Sequence, residues 1–168
     1  MSEVIAGLAV PETAAVAEAT ELIRRTATPL IYHHSRRIFF FGLIHAGRLG
    51  LAPDPELLYL SALFHDAGLL SGGDQRFELD SADTARSFLL ERGFPAPAAE
   101  TVWTAIALLD AHPRGDFKNG FLQAYLEGIR HRPETTNGTV NADVLEHFVP
   151  GFRRTTTVER VLNSPWPS

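Results

Sequence analysis

Apolar residues recur three and four positions apart along nearly all of this 168-residue chain, the period of an amphipathic helix, and no stretch alternates cleanly enough to argue for a strand. The pattern predicts an all-α protein, a single compact helical fold. Helix starts are marked by a repeated device. Pro11-Glu12-Thr13 opens a helix at about 11–26, since proline is tolerated at the first helical position and an acidic residue is favourable near the positive helix end. Thr28-Pro29 starts a second, running to about Leu49 and ended by Gly50. Asp54-Pro55-Glu56, as N-cap and first two helical residues, launches a third that carries His65-Asp66 in its last turn, ahead of the Ser71-Gly72-Gly73-Asp74 loop. Asp80-Ser81-Ala82-Asp83 reads as the cap of a fourth helix closed by Gly93, and a fifth spans about 98–109. Beyond it, Phe117 to Arg130 and Thr139 to Phe148 read as helices separated by loops, with no internal repeat.

Composition narrows the chemistry. With 45% hydrophobic residues and 168 positions, one domain over 1–168 is expected, its core at about 28–149, preceded by a short helix and followed by a C-terminal extension. Fifteen Lys plus Arg against twenty Asp plus Glu give a net charge of −5, and Lys118 is the only lysine, so no basic tract exists to follow a phosphate backbone and nucleic acid is not expected as a partner. Cysteine is absent, which removes disulfides, thiolate zinc sites and cysteine nucleophiles and leaves His and carboxylates as the strong metal ligands. Met1 to Val10 is mildly apolar, but Glu3 stands where a signal peptide favours a basic residue and the run is too short to span a bilayer, so a cytoplasmic protein without a membrane partner is expected.

His65-Asp66 is the most informative pair. A carboxylate that follows the apolar run Leu57 to Phe64 is expensive to bury alone and calls for a hydrogen-bonding partner or a cation. On the second helix His34, Ile38, Phe41 and His45 share one apolar face, so His34 points inward, while His33 lies about 100° around the helix and remains an alternative by periodicity alone. Asn141-Ala142-Asp143-Val144 offers a further carboxylate. Two imidazoles and two carboxylates neutralise one divalent cation and leave positions open for water and substrate, as a catalytic centre needs. Around such a centre, Arg36 and Arg37 read either as a solvent-facing pair or as donors to a ligand carboxylate. Phe39, Phe40 and Phe41 form a core run, and whichever of them faces the metal would dry the site; Glu78, placed in the loop after the third helix, is a candidate general base. His45 reads as a core histidine and His147 as a charge near a helix end, while His112 and His131 fall in loops or helix ends.

These pieces, a His before Ser35, then His65-Asp66, then Asp143, resemble the signature of the HD-domain metal-dependent hydrolases. The likeness is greatest to the cyanamide hydratase-like branch. It rests on Tyr32-His33-His34-Ser35-Arg36-Arg37, on Leu58 to Leu69, on Arg76-Phe77-Glu78 followed by Ser81-Ala82-Asp83, on Trp103 to Leu108, and on Arg132-Pro133-Glu134 ahead of Ala142-Asp143-Val144. The resemblance implies that His34 rather than His33 is the ligand, and that His34, His65, Asp66 and Asp143 hold one divalent ion, zinc or iron(II). It also implies addition of water to a small neutral substrate, as cyanamide hydratases convert cyanamide to urea. The residues around the centre are read with Asp66 and Glu78 as catalytic groups and Arg37, Phe41, Phe77 and His112 as substrate-side or supporting residues. Leu109-Asp110 stands where that branch typically has a histidine, and Ala111 to Gly128 is an added stretch. Three other functions fit the same residues: a phosphohydrolase, for which Arg76, Arg114, Lys118 and Arg130 supply cations; a dinuclear iron oxygenase, needing extra imidazoles such as His112 and His131; and a scaffold stapled by a metal. The aromatic content is compatible with a homodimer.

Overall fold

The computed structural model describes residues 3–70 and 76–108. Its elements are β1 (Val4–Ile5), β2 (Leu8–Ala9), α1 (Ala14–Thr26), α2 (Pro29–Arg48), α3 (Pro55–Phe64), a 3-10 turn (Ala67–Leu70), α4 (Phe77–Glu91) and α5 (Ala96–Ala107). The fold is all-α, as the periodicity implies, apart from a two-stranded hairpin that it did not anticipate. That hairpin pairs Val4 with Ala9 and Ile5 with Leu8 across a two-residue turn. Ala6 and Gly7 both take positive φ there (53° and 78°), the conformation that matches the twist of a tight hairpin. Strands of two residues are too short for alternation to register.

Helix α3 is the hub. Every residue from Leu58 to Phe64 is buried, and the helix packs against α1, α2, α4 and α5, which is where a helix apolar on all sides must sit. Its start matches the sequence: the Asp54 carboxylate accepts from the Glu56 and Leu57 amides at 2.9 and 3.1 Å, with Pro55 in the first turn. Thr28 caps α2 by accepting from Ile31 at 3.3 Å. The α2–α3 seam is aromatic, with Phe39 meeting Phe40 and Tyr59 edge-on at centroid distances of 5.1 and 4.9 Å. Phe39, Phe40 and Phe41 are core residues, as expected.

Three local expectations are corrected. Helix α1 starts at Ala14, capped by Thr13, rather than at Pro11. Helix α4 starts at Phe77, so Asp80 and Ser81 lie inside it and Glu78 belongs to its first turn instead of a loop. Arg36 and Arg37 are each only 6% exposed and are no solvent-facing pair. Arg36 reaches Glu3 beside the hairpin at 2.6 Å and lies over the Tyr32 ring, so its charge is offset where it is buried.

Candidate metal centre

Helix α3 ends at Phe64, which leaves His65 as its C-cap and Asp66 in the turn beyond. A helix end normally leaves carbonyls without intrahelical partners, and one of these sets the centre's chemistry. The Ala62 carbonyl lies 2.7 Å from His65 Nδ1, so that nitrogen must carry a proton and donate it. In the neutral ring Nε2 is then an acceptor, and it faces Asp66 Oδ2 at 3.1 Å. Two electron-rich atoms held that close need a positive charge between them, either a proton on Nε2 or a metal cation. His65 is 3% exposed, which makes the requirement stricter than it would be in water.

His34 arrives from α2 and brings its Nε2 to 3.7 Å from the same Asp66 oxygen, with its ring 5.2 Å from that of His65. One donor atom from each of His34, His65 and Asp66 lies within 4.8 Å of the others. Ligand atoms at about 2.1 Å from a common zinc would be roughly 3.0–3.4 Å apart for angles between square and tetrahedral, so the Asp66 separations fit one ion after small adjustment. His33, by contrast, is exposed and packs edge-on against Tyr32 at 5.2 Å. Of the two, it is His34, with its side chain 37% exposed, that turns toward His65 and Asp66.

Electrostatics prepare these groups for a cation. Burial pushes the His34 imidazole down to a pKa of about 4, helped by His65 and Arg37 and opposed by Asp66, so the ring is neutral at pH 7 with its lone pair available. Burial alone would raise the Asp66 carboxyl, but the hydrogen bond and field of His65, with the field of His34, outweigh it and hold Asp66 below the usual carboxylate range. A neutral imidazole and an ionised carboxylate are the ligand forms. The three residues therefore fit a divalent ion.

The HD domain sequence profile matches residues 31–142, more than half of the chain. The chain belongs to the HD domain family. HD domains are generally metal-dependent hydrolase domains that bind divalent cations, in agreement with a His/Asp group able to hold one. The HD match takes in His34, His65 and Asp66 and stops one residue before Asp143. No curated protein matches the sequence.

The remaining expected residues of this HD domain fall into two groups. Glu78 is 3% exposed on α4, with Arg76 Nε 3.4 Å from its carboxylate. Phe41 is buried in α2 and Phe77 is half-buried at the first position of α4. Arg37, one turn after His34, lies close enough to oppose protonation of that ring. Asp143, His112 and His131 lie outside the described residues. Sequence reasoning assigned no role to Ser81 beyond capping, yet its Oγ accepts the Gly68 amide at 2.8 Å from the buried face of α4. The available signal was its place with Glu78, Ala82 and Ala85 on one helical stripe.

Proposed function

We propose that this HD domain is a hydrolase or hydratase acting on a small neutral substrate with a carbon–nitrogen multiple bond or amide, a cyanamide hydratase-like activity. The observation that carries the reading is the convergence of His34, His65 and Asp66 with His65 Nδ1 already committed to the Ala62 carbonyl. His34, His65, Asp66 and, from outside the described residues, Asp143 would hold one divalent ion, zinc or iron(II). Such an ion, when bound, would lower the pKa of water to about 7 and polarise the substrate.

The chain's own groups do the rest. The Ala62 carbonyl keeps His65 in one tautomer and orientation, the arrangement by which a metal-bound histidine is tuned. Asp66 supplies negative charge, and Glu78 takes a proton from water and returns it to the substrate nitrogen. Phe41 and Phe77 keep the surroundings apolar. Hydration of cyanamide forms one C–O bond and moves two hydrogens from water to nitrogen, giving urea, so no leaving group has to be protonated. A cytoplasmic location is part of this proposal. Among the described residues no helix is long and apolar enough to cross a membrane.

Arg37 favours a second reading. A buried guanidinium beside His34 suits an oxyanion, as in hydrolysis of phosphate monoesters including nucleotides. Incubation of the zinc- and iron(II)-loaded protein with cyanamide and with a panel of phosphate monoesters separates the two. Urea formation supports the hydratase; phosphate release without urea replaces it with the phosphohydrolase; turnover of neither, with one ion bound, favours a metal-stapled scaffold.

Glu78→Gln keeps the shape and removes the proton acceptor. Turnover is expected to fall about 100-fold, the lower end for general acid–base groups, with metal content unchanged. Turnover within threefold of wild type would remove Glu78 from the mechanism.

A further inference from the structure

We infer that Ser81 is a positioning residue for the metal centre, and that its contact with Gly68 sets where Asp66 points relative to Glu78. The inference rests on the metal-binding reading given above. Its starting point is a mechanical problem: α3 stops at Phe64, so Asp66 stands beyond the end of the α-helix. What fixes the segment after His65 is the turn that follows. The Leu69 amide donates to the Asp66 carbonyl at 3.1 Å and closes that turn. Within it, the Gly68 amide donates to Ser81 Oγ at 2.8 Å, a buried contact across thirteen residues of sequence.

There is no slack in this contact. A Cβ on residue 68 would overlap the Phe77 carbonyl oxygen and would come within 2.9 Å of both the Ser81 amide nitrogen and Ser81 Oγ. Backbone therefore rests on backbone, which glycine alone permits here. Asp66 stands two residues before this clasp, and Glu78 stands on α4 between its two contacts, Phe77 and Ser81. One junction thus ties a metal-binding carboxylate to the proposed proton acceptor. Without Ser81 Oγ the buried hydrogen bond that ties this turn to α4 is lost, and the turn is held less firmly against the helix. Any shift is passed to Asp66 through the backbone of Ala67.

The test is Co2+ titration of metal-free protein, reading affinity and the visible absorption band of the bound ion, on wild type, Ser81→Ala, Ser81→Thr and Val102→Ala. Val102 is fully buried in α5 and serves as a variant that loosens the fold elsewhere. Ser81→Ala is expected to bind Co2+ about tenfold more weakly with a shifted band, the low end for a group supporting a metal ligand. Ser81→Thr keeps the oxygen and is expected within threefold of wild type; Val102→Ala is expected to lower the melting temperature and leave affinity unchanged. Wild-type affinity and band in Ser81→Ala, or an equal loss in Val102→Ala, overturns the inference. If Ser81→Ala does not fold, Ser81→Thr decides alone, a tenfold loss in the folded protein counting against it. Failure of wild type to bind Co2+ removes instead the metal-binding reading beneath it.

Discussion

Asp66→Ala is expected to purify as a folded protein that retains almost no metal. Three facts separate the two effects. The Asp66 carbonyl, which accepts from Leu69, is kept by alanine, so the turn after α3 is preserved. The side chain contributes nothing to the apolar core, which is built from α3 itself and its neighbours. Its carboxylate is, however, the group both imidazoles approach, at 3.1 Å from His65 and 3.7 Å from His34. Deleting a supporting partner costs about 10–100-fold in metal affinity, so deleting Asp66, a direct ligand in the proposal above, is expected to cost about 100-fold or more. Elemental analysis after dialysis, with circular dichroism beside it, checks both halves. Metal retention equal to wild type would take Asp66 out of the ligand set.

Phe39→Ala is expected to cost about 3–5 kcal/mol of stability, the range for emptying a fully buried phenylalanine site, and a large share of the roughly 5–15 kcal/mol that holds a domain together. Phe39 is completely buried, and its ring joins Phe40 on α2 to Tyr59 on α3. The seam it fills also carries the centre, since His34 belongs to one of these helices and His65 ends the other. Denaturant unfolding gives the loss directly, provided the slope with denaturant is unchanged. A loss below about 1 kcal/mol would mean that the two helices do not pack through this ring.

How far the chain could be read beforehand depended on what kind of force shaped each part. Asp54-Pro55 and Thr28-Pro29 act within a few residues, and the helices they start are where the sequence places them. His34 was legible as inward because helical period and its apolar neighbours agree, and its partners His65 and Asp66 follow an apolar run whose end is marked by Gly68. Helix α4 resists reading because no side chain caps it at Arg76; its first turn meets instead a tertiary contact, Gly68 against the Phe77 carbonyl nine residues away. The same lack of a capping side chain makes Glu78 read as a loop residue. Arg36 and Arg37 escaped because α2 is buried without interruption from Ser35 to Gly42, so periodicity carries no information on which side is wet. The hairpin that brings Glu3 to Arg36 depends on tertiary contact and on a two-residue turn, neither of which hydrophobic spacing reveals.

Crystals of the metal-loaded protein, measured at the absorption edge of the bound metal, give the most direct test of a single cation held by α2, the end of α3 and Asp143. The expected result is one anomalous peak about 2.0–2.2 Å from His34 Nε2, His65 Nε2, an Asp66 oxygen and an Asp143 oxygen. A peak away from these atoms, or an Asp143 carboxylate directed elsewhere, would contradict it.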